Sequence, residues 1–285
     1  MKRASLKAVL ALSCGLLAVA ANAATEEKGM SKPFGDADHV IYTLARGVHA
    51  PNLDKSLLTN HGGGVIANPH LVFLFWGPSF CSGGADVAYA STLQAFRNQF
   101  GSTGEWRTIL QYGVNAATLG AGTPDGFDCT TPPTKVTDTT VRSHVNAYLA
   151  SHTFDNSAVY EVVIPSTSYS SSGGSTSCGG PHLSYCAYHG SYTSGANTVK
   201  YSIEPWPGCS GCSVSGWSTV QNQEHFVCHE TREAATDPVN AWWDSSTGQE
   251  ADDKCAWSPS PFIGTGGYAY QYEWSNADNA CVKVK

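Results

Sequence analysis

Basic residues are scarce in this chain: 16 Lys and Arg stand against 23 Asp and Glu in 285 residues. That balance excludes the broad positive surface by which proteins hold nucleic acids or anionic membranes. Long apolar runs are missing beyond the N-terminus, where no segment approaches the about 18 consecutive apolar residues of a membrane helix. Three familiar catalytic and nucleotide-binding signatures are absent as well: G-x-S-x-G, the P-loop and G-x-G-x-x-G. Hydrolysis from a serine elbow, and nucleotide binding through those loops, are thereby set aside.

The N-terminus carries an address. Lys2, Arg3 and Lys7 precede an apolar stretch from Ala8 to Ala21, and Ala21-Asn22-Ala23 has the A-x-A form of a cleavage site. Residues 1–23 read as a secretory signal peptide, because an apolar run of about 14 residues is too short to span a bilayer. A lipoprotein reading through Cys14 is disfavoured, since Ala11-Leu12-Ser13 fits a lipobox poorly. Cleavage removes three of the 16 basic residues and leaves 13 against 23 acids, a balance of −10. The expected product is secreted, extracellular or periplasmic, with no membrane attachment after cleavage. Residues 24–60 are polar and irregular and read as a linker or pro-segment, and residues 61–285 as a single domain.

Nine cysteines follow the cleavage site: Cys81, Cys129, Cys178, Cys186, Cys209, Cys212, Cys228, Cys255 and Cys281. An oxidising compartment pairs cysteines as disulfides, and an odd number leaves at least one over. Cys209-Ser-Gly-Cys212 has no second CxxC to complete a zinc knuckle, so a structural disulfide is expected there.

His70 to Trp76 is almost unbroken apolar sequence, as a strand buried on both faces requires. Helical spacing follows over 86–100, a short helical turn begins at Glu105, and Val141, Val145 and Leu149 repeat at helical spacing over 138–152. Residues 157–164 and 198–203 read as further strands. Ser166 to Gly180 is nearly all Ser, Thr and Gly and reads as a mobile loop. Tyr268, Tyr270, Tyr272 and Trp274 alternate as the buried face of a strand would. This order predicts an α+β domain: a mixed sheet with covering helices, stapled by disulfides.

One segment carries chemistry. Ser218-Thr-Val-Gln221 has the form of a capping box, and the helix it opens should run to about Thr236, with Pro238 beyond. Val220, Val227 and Ala234 fall on one side; His225, His229 and Glu233 fall on the other, with Glu230 about a quarter-turn from His229. This is H-E-x-x-E. In the zincin helix H-E-x-x-H, ligands at i and i+4 hold zinc while the Glu beside the first acts as general base toward the attacking water. A carboxylate in the second position is an equally acceptable zinc ligand. Eight acids lie between Glu224 and Asp253, with Arg232 the single Arg before Lys254, and such crowding calls for a cation or for solvent. The competing reading is a solvated amphipathic helix on which Arg232 and Glu233 are surface charges. For a third ligand, Asp237, Glu250, Asp253 and His225 all remain open. Cys228 adjoins His229 at i+1, where the two side chains diverge, which argues against a Cys–His dyad.

The run His229-Glu230-Thr-Arg-Glu233, then Asp237-Pro-Val-Asn-Ala-Trp242, then Glu250-Ala-Asp-Asp253-Lys-Cys255 resembles the EXORDIUM-like (phosphate-induced protein) family. That family carries H-E-L-x-E, N/D-P-x-x-N-A-W, which this chain shortens by one residue between Pro238 and Asn240, and E-x-x-D-x-C. Cys186-Ala-Tyr-His189 resembles its C-G-x-H, and Cys209 and Cys212 its two-cysteine turn; the resemblance spans roughly residues 60–285. Thr231 replaces the usual Leu, and Cys228 falls outside the pattern, which marks it as the unpaired thiol. The resemblance implies an extracellular place and a zincin-like helix. Because the family accepts Asn at the position of Asp237, it turns the third-ligand choice toward Glu250 or Asp253.

The expectation is a secreted, zincin-like zinc metallopeptidase. His229, Glu233 and Glu250 would be the metal ligands, Glu230 the base, and His189 a candidate transition-state stabiliser. Its partner would be an extracellular protein or peptide substrate. The alternative is a non-catalytic extracellular EXORDIUM-like protein acting at a cell wall or receptor.

Overall fold

The computed structural model describes residues 39–48 and 55–285. The expected signal peptide at 1–23 lies outside the described residues, as does most of the 24–60 segment. One part of that segment does not behave as a linker: His39–Leu44 is a strand, β1, at the edge of the main sheet.

Five more strands complete this sheet: β2 His70–Trp76, β3 Gly126–Asp128, β4 Ala158–Val163, β5 Tyr185–Ser194 and β6 Asn197–Glu204. Their spatial order is β1-β5-β6-β4-β2-β3. β3, β2, β4 and β6 run parallel, β5 runs antiparallel to β6, and β1 antiparallel to β5. A mixed six-stranded sheet is the result.

Both faces of the sheet are covered, which explains the continuous apolar sequence of β2. Helix α1, Val87–Phe100, lays Leu93, Phe96 and Phe100 on Leu71, Phe73 and Phe75. The opposite face meets α3, Asp138–Leu149, through Val72, Leu74, Val141 and Val145. Between them in sequence is the one-turn α2, Gly104–Arg107, started by the Thr103 side chain accepting from the Trp106 N–H. The fourth helix, α4 Thr219–Thr236, lies on the α1 side beneath β1, β4, β5 and β6. Residues beyond α4 form short two-stranded pairings and turns that cover its other side, and Tyr270 and Trp274 are buried there against the core. Tyr268 and Tyr272 pack partly buried on the same cluster, although only Ala269–Tyr270 and Glu273–Ser275 are extended.

Four disulfides join Cys81 to Cys129, Cys178 to Cys209, Cys186 to Cys212 and Cys255 to Cys281. Cys209 and Cys212 thus staple two different partners rather than each other. The Ser- and Thr-rich stretch is not a simple loop. Tyr169–Ser172 and Ser175–Thr176 pair in a small sheet with Lys135–Thr137, burying Ser170 and Ser177, and the following Cys178 is tied to Cys209.

Candidate metal centre

Helix α4 begins where its capping box begins. The Ser218 hydroxyl accepts from the Gln221 N–H at 3.2 Å, and the Gln221 side chain accepts from the Ser218 N–H at 2.9 Å. From Asn222 to Thr236 every residue is buried, so the helix is not divided into a core face and a wet face. Several of its polar side chains are satisfied inside the protein instead. Gln223 donates to Glu204 on β6 at 2.5 Å, and Thr231 donates to Glu161 on β4 at 2.7 Å. The Ala269 N–H donates to Glu224 at 2.8 Å.

Arg232, which an amphipathic reading puts in solvent, is completely buried between Asp252 and Glu273. It also donates to the carbonyls of Glu105 and Gln271. A buried guanidinium with this many acceptors ties α4 to the C-terminal segment. Its charge is spent on Asp252 and Glu273, and the carboxylate of Glu233 stays available.

The chemistry-bearing residues converge from three elements. From α4 come His229, Glu230 and Glu233; from β5 comes His189; from the turn leading to Cys255 come Glu250 and Asp253. His229 Nε2 lies 3.1 Å from Glu233 Oε2 and 3.6 Å from Asp253 Oδ1. His189 Nδ1 lies 2.9 Å from Glu230 Oε2 and 3.9 Å from Glu233 Oε2, and its Nε2 lies 3.7 Å from Glu250 Oε1. Two triads result, His229/Glu233/Asp253 and His189/Glu230/Glu233, each with ligand atoms within 4.8 Å of one another and with Glu233 in common.

Neighbouring atoms of this site aim the ligands. The Asp253 N–H donates to Glu233 Oε1 at 2.8 Å, which leaves Oε2 to point inward. His229 Nδ1 meets Gln271 Oε1 at 3.2 Å, while the Gln271 amide N–H donates to the Asp252 carbonyl at 2.6 Å. That anchored amide can accept from Nδ1–H, which turns the Nε2 lone pair toward the site, the arrangement typical of ligating histidines. His229 Nε2, Glu233 Oε2, His189 Nε2 and Asp237 Oδ2 are buried with no hydrogen bond among the described residues. Buried polar atoms are rarely left so, and a cation would satisfy them.

The spacing fits an ion. Ligand atoms held at about 2.1 Å on a tetrahedral centre stand roughly 3.4 Å apart, close to what His229, Glu233 and Asp253 present. Electrostatics point the same way. Burial, then Asp237, Glu233 and Asp253, push the Glu250 carboxyl well above its usual range. Asp253 is raised well above by burial and by Glu233, and Asp237 to about 6, mainly by burial. Burial opposes a charge on His229, but Glu233, Glu230 and Asp252 outweigh it and raise the imidazole well above its usual value. Anionic groups crowded in a dry site favour any cation, proton or metal.

Not every sequence candidate joins the site in the expected way. Glu250 stands beside His189 rather than His229, and Asp253 is the acid that completes the His229/Glu233 group. Asp237 is buried close by but belongs to neither triad; it accepts from the Ala241 N–H at 2.5 Å. His225 is outside, its ring packed among Trp217, Phe226 and Trp257, with a pKa driven down to about 3 chiefly by burial. Two participants escaped the sequence reading. Gln271 carries no motif. Thr43, whose hydroxyl donates to Glu230 Oε1, lies in the supposed linker, although Val40-Ile41-Tyr42-Thr43-Leu44 has the β-branched and aromatic make-up of a strand.

No protein-family model, curated protein or solved structure matches this chain. The four disulfides are consistent with an oxidising, non-cytoplasmic compartment, and no helix among the described residues is long and apolar enough to cross a membrane.

Proposed function

We propose that this chain is an exported zinc-dependent hydrolase, and within that class a peptidase, related to the EXORDIUM-like proteins and built around a zincin-like helix. One observation carries the reading. His229 and Glu233, one turn apart on a buried helix, present unsatisfied ligand atoms together with Asp253, and Glu230 stands beside them. His229, Glu233 and Asp253 would hold the ion, with Asp253 preferred over Glu250 on distance. When bound, zinc supplies Lewis acidity, lowering the pKa of water and polarising a scissile carbonyl. Glu230 is the proton acceptor, and His189, donating to it at 2.9 Å, orients it. A mixed N/O donor set favours zinc over calcium, which selects oxygen alone.

Burial of His229, Glu230, Glu233 and His189, with Asp253 alone partly exposed, supports a second reading, in which the ion is structural and the protein acts on an extracellular surface without catalysis. Metal analysis of the purified protein, paired with peptide-library cleavage, separates the two. The peptidase reading expects about one zinc per chain in wild type and in Glu230→Gln. It expects much less in His229→Ala, and a cleavage loss of about 10²–10⁴-fold in Glu230→Gln. A folded, metal-free wild type, or cleavage that survives Glu230→Gln, overturns it.

A further inference from the structure

The candidate base is capped by a strand from the far N-terminal side of the domain. β1 pairs antiparallel with β5 through six residue pairs, Ile41 opposite His189 and Thr43 opposite Ala187. Partners in such a pair project to the same face, so Ile41 and Thr43 face the metal centre together with His189. Both are buried, and the Thr43 hydroxyl donates to Glu230 Oε1 while His189 occupies Oε2. Both oxygens of the base are therefore engaged, and one of the two donors belongs to β1.

What holds β1 is mostly what would hold any extended chain. Its contacts to β5 are ladder contacts between main chains, continued by the Ala45 N–H to the Ser184 carbonyl at 3.0 Å. Trp257 Nε1–H donates to the Leu44 carbonyl at 2.8 Å, again a main-chain acceptor. The side-chain additions are the buried Ile41, the partly buried Val40 and Tyr42 packed on the core, Tyr42 against Tyr185 and Tyr188 with a hydroxyl contact to Ser172, and Thr43 on Glu230. Without β1, the β5 edge beside His189 would be an open row of main-chain donors and acceptors, the kind of edge to which extended peptides add as a strand.

We infer that the outer edge of β5 is the binding edge for an extended polypeptide substrate, and that residues 39–44 occupy it in the manner of that substrate and hold the centre latent. The ligand is a peptide strand antiparallel to β5, with an aliphatic residue opposite His189 and a small residue over Glu230. The fate of a bound peptide rests on the hydrolase reading above; its binding does not. The inference also accounts for the burial of Glu230 and His189 in a catalytic centre, since the cover is a replaceable strand.

The test uses full-length protein loosened at β1 by Ile41→Lys, which puts a charge into the buried face. A second variant, Tyr42→Ala, removes the Tyr42 contacts and leaves the side facing the metal centre intact. Each is also made with Glu230→Gln, so that binding is read by fluorescence anisotropy of a labelled extended peptide without turnover. Expected are at least tenfold tighter peptide binding than in Glu230→Gln alone, displacement by a synthetic peptide of residues 38–46, and unchanged zinc content. With Glu230 intact, cleavage of the labelled peptide should rise at least tenfold over wild type. Folded variants that bind no more peptide than the parent, or binding that the synthetic strand fails to displace, overturn the inference. Competed binding without any cleavage leaves the edge in place and removes the hydrolase reading; Glu230-dependent cleavage that ignores β1 does the reverse.

Discussion

Burial sets the chemistry of individual side chains along α4. Cys228 is the one free cysteine among the described residues, and burial raises its thiol far out of the reactive range. Adjacent His229 does not activate it, in keeping with their divergence at i+1. Glu224 is the clearest titrating group away from the ligands, pushed up to about 7 by burial despite the hydrogen bond from Ala269. Its sign is definite. A carboxyl that holds its proton more tightly when folded favours the fold at low pH, and that contribution is lost as pH rises from the unfolded value, about 4.3, through about 7. Glu224→Gln should therefore flatten the fall in Tm across this window, with the two proteins diverging most above pH 7. Calorimetry at several pH values checks it; parallel profiles would contradict the assignment.

At the scale of elements, legibility tracked hydrophobic signal. β2 and β4 were readable because sheet strands covered on both faces are apolar throughout, and α4 because its cap, its 3.6-residue spacing and Pro238 agree on its limits. β5 and β1 were not. On the site-facing side β5 carries the small or polar Ala187, His189 and Ser191, and Gly190 interrupts the aromatic side, so no apolar run marks the strand. β1 has the composition of a strand but stands in a segment that is otherwise polar. The cap of α4 is directly testable: Ser218→Ala removes the acceptor for the Gln221 N–H and should cost about 1 kcal/mol in denaturant unfolding, with little effect on bound metal. A Ser218→Asp variant, which restores the acceptor, should recover most of that loss.

Across the whole molecule the disulfides divide between scaffold and site. Cys81–Cys129 closes the β2–β3 edge, on the opposite side of the sheet from β1. Cys255–Cys281 instead fixes the turn that delivers Asp253. Closing a loop with a sequence separation of 26 restrains the unfolded chain. Replacing both Cys255 and Cys281 with Ser should cost about 3 kcal/mol in stability. It should also weaken zinc affinity, measured by competition with a chelator. The Cys81→Ser/Cys129→Ser pair should lose comparable stability and keep its affinity. Equal zinc affinity in the two double variants would separate the turn from the metal centre.

Sequence alone determined the α+β order of elements, the capped helix with His229, Glu230 and Glu233 in phase, and Cys228 as the odd thiol. Each follows from local rules: propensity, periodicity, capping and counting. Tertiary structure decided the rest. It buried Arg232 and so left Glu233 available, brought Asp253 rather than Glu250 to His229, and set His189 and Thr43 on Glu230. Those choices depend on which strand is paired beside which. Chain neighbours do not encode that, because distant segments become partners only when the sheet is assembled.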